Sequence, residues 1–167
     1  STLRELSFAA DPRRWADDHG PFDQDWSSIF SALGQNTGLK SLSVDFVCSM
    51  DESLCTAMQN GLGINDTLES LELSRVHVSD NNDNSDLWCR ALSFLRTHDA
   101  LKSLTINVQN NAADRTRGSC LSTFCRGIAA ILQENASLGS LSIRKKWSAA
   151  KIKAEDYLVL VTALQHN

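Results

Sequence analysis

Hydrophobic positions follow one short pattern, Leu-x-x-Leu-x-apolar, which recurs five times along the chain. Alternation of apolar and polar residues over such a short run is typical of a β-strand with one buried face. The copies are Leu3-Leu6-Phe8, Leu39-Leu42-Val44, Leu68-Leu71-Leu73, Leu101-Leu104-Ile106 and Leu138-Leu141-Ile143. They predict strands near residues 3–8, 39–44, 68–73, 101–106 and 138–143.

A second pattern ends three residues before each later strand, at Asn36, Asn65, His98 and Asn135, which we call the anchor residues. Asn167 holds the same place after the last pattern. The apolar residues before each anchor are spaced by three and four, which indicates one stripe of an amphipathic helix. The stripes are Trp26, Ile29, Phe30 and Leu33; Cys55, Met58 and Leu62; Trp88, Ala91, Leu92 and Leu95; Cys125, Ile128, Ala129 and Leu132; and Tyr157, Leu160, Val161 and Leu164.

Each unit therefore reads strand, loop, helix and turn, which predicts an α/β fold with a parallel sheet. A single unit cannot bury its own apolar face, so neighbouring units must stack. Strands stack about 4.8 Å apart whereas helices are about 10 Å thick, so the stack must curve with the strands inside. The expected architecture is a horseshoe-shaped solenoid with a concave sheet and convex helices. We predict one domain over residues 1–167, of about four and a half repeats.

These strands and anchor-terminated helix stripes resemble leucine-rich repeats of the ribonuclease-inhibitor-like subclass. The resemblance implies a turn-closing Asn or Cys after each strand, a place that Cys48 and Asn110 could fill. The repeats are longer and less even than is usual in that subclass, which indicates insertions at residues 10–25, 77–86, 107–118 and 145–155. We expect a fragment of a longer array, and its uncapped ends predict end-to-end self-association of the isolated fragment.

Alternation within the strands places the polar residues between the leucines on the concave face. The resemblance implies that this face binds partners. The candidate partner-binding residues are Glu5, Ser7, Ser41, Ser43, Asp45, Ser70, Glu72, Ser74, Ser103, Thr105, Asn107, Ser140, Ser142 and Arg144. Arg144 is the one Trp, Tyr or Arg anchor among them, so the sequence predicts a smooth polar groove with acidic spots.

Two predicted loops supply secondary candidates. The first contains Arg13, Arg14 and Trp15, and the second contains Lys145, Lys146 and Trp147. Residues 1–100 carry 7 basic and 16 acidic residues, whereas residues 101–167 carry 9 basic and 4 acidic residues. The second loop could grip phosphate or an acidic protein, but one aromatic residue and no RNA-binding motif make nucleic acid an unfavoured partner.

The patterns of catalysis and metal binding are missing from the sequence. Residues 80–86 resemble half a calcium loop, but Ser85 and Ala91 stand where that loop needs Gly and Glu. Ser85 or Asp86 instead is expected to cap a helix beginning near Leu87. A structural hydrogen bond is the expected role of His98. We therefore expect no enzyme, no metal and no cofactor.

The sequence has no apolar run of membrane-spanning length, so no membrane partner is expected. Five cysteines without a metal-binding spacing favour reduced thiols, and hence an intracellular, cytoplasmic setting. The leading hypothesis is a non-catalytic protein-interaction module with a protein partner. The alternatives are the substrate-recruiting or ligand-sensing part of a multidomain enzyme or receptor, of the ubiquitin-ligase or NTPase immune-receptor type, and a structural spacer.

Overall fold

The computed structural model describes residues 3–10, 26–46, 50–78, 84–109, 119–146 and 154–165. Strands and helices alternate throughout these ranges. The strands are β1 (Glu5–Ala10), β2 (Ser41–Phe46), β3 (Ser70–His77), β4 (Ser103–Gln109) and β5 (Ser140–Lys146). The helices are α1 (Trp26–Gln35), α2 (Glu52–Gly63), α3 (Asn84–Ala91), α4 (Ser119–Leu132) and α5 (Ala154–Gln165), with a 3-10 helix at Ser93–Arg96.

The strands form one five-stranded sheet in sequence order, and every neighbouring pair is parallel. Equivalent leucines of the repeats face one another across the sheet, as the pairs Leu6–Leu42, Leu42–Leu71, Leu71–Leu104 and Leu104–Leu141 show. The predicted parallel sheet with a helix after each strand is therefore confirmed.

Each strand begins two residues after the first leucine of its pattern, which is later than predicted. Before β2 to β5, the amide of that leucine donates to the side chain of the anchor residue three positions earlier. The acceptors are Asn36 Oδ1 for Leu39 (2.8 Å), Asn65 Oδ1 for Leu68 (2.8 Å), His98 Nδ1 for Leu101 (3.1 Å) and Asn135 Oδ1 for Leu138 (2.8 Å). The anchor thus holds the first leucine in the turn, and the expected structural bond of His98 is confirmed.

The inward residues of the strands and the stripe residues whose side chains the structure describes form one hydrophobic cluster, and the side chains of Tyr157 and Leu164 lie outside that described set. Two stripe residues, Ile29 and Val161, are exceptions, with exposed fractions of 40% and 49%. They belong to the first and last described helices, and each of those helices contacts one described neighbour, α2 or α4. The prediction that these two side chains are buried is therefore wrong.

Helix α3 differs most from its prediction. It begins at Asn84 rather than near Leu87, so Ser85 and Asp86 lie inside its first turn. There the Asp86 carboxylate is well placed against the positive end of the helix dipole. The helix ends at Ala91, and a 3-10 helix carries the rest of the stripe to the anchor. The insertions also begin later than expected, because β3, β4 and β5 continue to residues 77, 109 and 146.

Helices α1 and α2 approach closely at two glycines. A Cβ added at Gly61 would lie 2.2 Å from the Phe30 carbonyl oxygen, and one added at Gly34 would lie 2.4 Å from the Gly61 carbonyl oxygen. Both contacts are with backbone, which cannot move without separating the helices. The small residues therefore set the spacing between the first two helices.

We expect Gly61→Ala to lower the free energy of unfolding by at least about 2 kcal/mol, because the methyl group forces the helices apart. Urea unfolding followed by circular dichroism measures this change. Gly63→Ala on the same helix is the matched control, since its Cβ meets only the Phe94 side chain, at 3.3 Å. The control is expected to change stability by less than about 1 kcal/mol. Equal effects of the two substitutions would contradict the close-contact explanation.

Candidate functional site

The strands carry a polar face opposite the buried leucines, which we call the open face. Half-buried or exposed residues alternate with buried ones along the central strands. The register aligns Glu5, Ser41, Ser70, Ser103 and Ser140 in one row and Ser7, Ser43, Glu72, Thr105 and Ser142 in the next. A third row holds Ala9, Asp45 and Ser74, followed by Asn107 and Arg144. The structure thus places all of the sequence-predicted candidates of the sheet on one face, and their role in binding stays a prediction.

The third row is interrupted by a β-bulge in β3. Leu73 pairs with Ile106 and Val76 pairs with Val108, so Ser74 and Arg75 together occupy the space opposite Asn107. Strict alternation after Leu73 would place the Arg75 guanidinium in the core, where burial of an isolated charge is very costly. The extra residue instead buries Val76, at the cost of a left-handed backbone at Arg75 with φ 55°.

The bulge brings Arg75 to Asp45 on the neighbouring strand. Arg75 Nε donates to Asp45 Oδ1, and Arg75 Nη2 donates to Asp45 Oδ2 at 2.5 Å. The two parallel hydrogen bonds fix the plane of the guanidinium. Both side chains are about one-third exposed, at 36% and 37%, so solvent weakens the attraction and the pair mainly sets orientation.

A second polar group lies beside this pair. Asn107 Nδ2 donates to Glu72 Oε1 and to Ser74 Oγ, both at 2.9 Å, which joins β3 to β4 above the core. The Glu72 carboxylate is half-buried, and none of the described cations forms an ion pair with it. The centre of the open face therefore presents a held negative charge.

The residues before β1 to β4 form a charged rim along one edge of the open face, and Gly139 stands before β5. Glu69 Oε1 lies 3.0 Å from Lys40 Nζ, and Glu69 Oε2 lies 3.7 Å from Lys102 Nζ. The hydrogen bond from Lys40 and the charges of the two lysines lower the pKa of the Glu69 carboxyl. Because Arg4 occupies the corresponding position before β1, the rim is basic beside an acidic centre.

Arg75 was not among the residues predicted for the open face, and its side chain adds an arginine there. The signal was present in the sequence, since apolar residues fall at Val76 and Val78 instead of continuing the alternation after Leu73. His77 adjoins the bulge, and burial together with the nearby Arg75 charge lowers the pKa of its imidazole.

The loop candidates cannot be placed on this face. Arg13, Arg14, Trp15 and Trp147 lie outside the described residues, as do Cys48 and Asn110. Lys145 and Lys146 belong to β5, where they pair with Val108 and Gln109, but their side chains are outside the described set.

The described residues include no group of three or more His, Cys, Asp or Glu side chains that could share a metal ion. None of the helices in the described part of the chain has the length and apolar character needed to cross a membrane.

This alternation of parallel strands and helices in register defines a leucine-rich-repeat-like fold. A solved structure described as "Leiomodin-1 Actin-Binding Site 2 (ABS2)" is similar to this chain, with a TM-score of 0.58 and 18% sequence identity. The match covers 88% of this chain and 74% of that chain, and at this identity it shows the fold alone. No protein-family model and no curated protein sequence matches this chain.

We expect Arg75→Gly to be more stable than Arg75→Ala by about 1 kcal/mol, because only glycine adopts a φ of 55° without strain. Both variants lose the Asp45 contact, so the difference isolates the backbone. Urea unfolding of the two proteins measures it. The matched pair Ser74→Gly and Ser74→Ala, at the adjacent residue with ordinary backbone, is expected to show the opposite order. Equal stability of Arg75→Gly and Arg75→Ala would contradict the strained bulge.

Proposed function

We propose that this chain is a non-catalytic protein-interaction module and that its partner binds across the open face of the sheet. The observation that carries this proposal is the alignment of polar side chains from all five described strands on one rigid surface. Hydrogen bonds between strands already hold Glu72, Asn107 and Asp45 in place. A surface that is ordered before binding loses little conformational entropy when a partner docks.

The same proposal includes the shape of the array. The difference between strand spacing and helix diameter favours a horseshoe whose concave side is the open face. We assign the repeats to the ribonuclease-inhibitor-like subclass because an anchor residue ends each helical segment before a strand and bonds the leucine three positions later. Curvature would let a partner contact several strands at once.

The properties of the described thiols support a non-catalytic role. Burial raises the pKa of Cys55, and burial with the nearby Asp86 charge raises that of Cys89 to about 11. Neither thiol forms the thiolate needed for nucleophilic chemistry at neutral pH. Neither Cys55 nor Cys89 forms a disulfide bond in the structure, which fits the proposed cytoplasmic setting.

The partner in this proposal is a protein. The open face combines a basic rim, a held carboxylate at Glu72 and Arg144 on the last strand, a distribution that suits a partner with complementary charges. The similar solved structure is described as an actin-binding site, which makes purified actin the first defined probe. A substrate-recruiting or ligand-sensing role within a larger enzyme or receptor remains the second candidate, since such a role would use the same face.

The test compares two triple variants with the same change in charge. The open-face variant is Ser43→Arg, Glu72→Lys and Thr105→Arg. The helical-face control is Ser53→Arg, Thr56→Arg and Glu134→Lys, at residues exposed on the helical side. We expect wild type and control to bind the same partner with similar affinity. We expect the open-face variant to lose at least about tenfold in affinity, because its added charges are unfavourable at the interface.

Binding is measured by co-sedimentation with purified actin and by cross-linked capture from cell lysate, with circular dichroism to confirm that each variant folds. Loss of partner binding in the open-face variant, with binding retained by wild type and the control, supports the proposal. Equal capture by all three proteins would contradict it and leave the sheet as a structural spacer. Failure of actin alone to bind, with another protein captured through the open face, would exclude actin and retain the module.

A further inference from the structure

The anchor residues join neighbouring repeats as well as closing their own turns. Asn65 Nδ2 donates to the carbonyls of Leu33 (2.8 Å) and Asn36 (3.0 Å) in the preceding repeat. Asn135 Nδ2 donates in the same way to the carbonyls of Leu95 and His98. The hydroxyls of Thr67 and Ser137, two residues after these anchors, add further bonds to the preceding turns.

The turn at His98 lacks the side-chain hydrogen bonds by which Asn65 and Asn135 hold the preceding turn. His98 Nδ1 accepts from the Leu101 amide, but His98 Nε2 makes no hydrogen bond of normal geometry although the residue is only 5% exposed. The Asn65 backbone is the group that most favours a proton on the ring. Ala100 stands where Thr67 and Ser137 supply a hydroxyl, so it has no side chain that can bond the preceding turn. Among the described anchor turns, the junction between Asn65 and His98 therefore has the fewest side-chain hydrogen bonds.

Three further features distinguish the same junction. A cleft of about 180 Å³ lies between the two turns, lined by residues 63–66 and 97–100. The helical segment that leads into the His98 turn is the one that changes from α3 into a 3-10 helix. The Phe94 ring packs edge-on against the imidazole, with ring centroids 5.8 Å apart, and completes an apolar wall on that side.

The charges near the imidazole come from both turns. Asp66 projects from the preceding turn and Asp99 from the same turn as His98, and both favour the protonated form. The backbone carbonyls of Asn65 and His98 act in the same direction. Burial outweighs them and lowers the pKa of His98 below its ordinary value of 6.5. On the outer side, Arg96 is paired with Glu134 at 3.5 Å.

The hydrogen bond from Leu101 determines where a proton can be added. An acceptor at Nδ1 must be unprotonated, so the neutral ring carries its hydrogen on Nε2. A further proton can be added only at Nδ1. The protonated Nδ1 is then a donor, so it can no longer accept the hydrogen bond from the Leu101 amide. The asparagine anchors cannot titrate, so their leucine amides are unaffected.

We propose that the His98 turn is an acid-sensitive joint, in which protonation of Nδ1 releases the Leu101 amide and opens the contact with the Asn65 turn. The neutral ring is favoured in the closed turn, so the unfolded or opened turn binds more protons. The free energy that favours the closed turn is therefore greatest above about pH 6.5. It decreases as the pH falls below that value. The proposal concerns the scaffold and is independent of the partner.

Amide hydrogen exchange tests the joint in the intact chain. The protection factor of Leu101 is compared with those of Leu39, Leu68 and Leu138, which occupy the same position beside asparagine anchors. Between about pH 7.5 and about pH 5, we expect Leu101 to lose about tenfold in protection relative to these three internal controls. Nitrogen NMR of the imidazole at neutral pH is expected to show the Nε2–H tautomer.

The variant His98→Asn supplies a non-titrating anchor with an amide donor. This variant is expected to abolish the acid-induced loss of amide protection at Leu101. The protection factors of Leu39, Leu68 and Leu138 are expected to stay unchanged. Equal relative protection of wild-type Leu101 at both pH values would overturn the proposal. An Nδ1–H tautomer at neutral pH would overturn it as well, and both of these measurements use wild type and do not depend on folding of the variant.

Discussion

The structure depends on the buried amide side chain at the end of a repeat. Asn65 is 3% exposed, and it accepts from Thr67 and Leu68 in its own turn while donating to two carbonyls of the previous turn. Turns must bring polar backbone into the interior of the stack, where each unpaired group would cost about 1–3 kcal/mol. One amide satisfies four such groups, and in doing so it fixes the position of one repeat on the next.

The fixed position of the turns determines what the open face can present. Since every strand starts two residues after its first leucine, equivalent positions align across the sheet and polar side chains form continuous rows. The β3 bulge changes one row by adding Arg75, because the alternative was a buried guanidinium. The interactions that stabilise the core thus also arrange Asp45, Glu72 and Asn107 as an ordered polar surface.

Periodicity was enough to predict the parallel sheet, the inward leucines and the rows of the open face, because stacking requires the same spacing in every repeat. It could not locate departures that depend on neighbouring repeats. Ile29 satisfies its helix stripe but lies on the first described helix, and Arg75 reaches the open face only because β3 bulges. His98 could be recognised as an anchor, yet the poor hydrogen bonding of its Nε2 depends on the geometry of the preceding turn.

Asn65→Asp tests the central claim most directly, because it keeps both acceptors and replaces the donor by a charged oxygen. The carboxylate would face the carbonyls of Leu33 and Asn36, so we predict a loss of at least about 3 kcal/mol in the free energy of unfolding. Urea unfolding at neutral pH measures it against Asn60→Asp, the same change at an exposed position on α2. A loss below about 1 kcal/mol, equal to that of the control, would contradict the claim that this amide holds the repeats together.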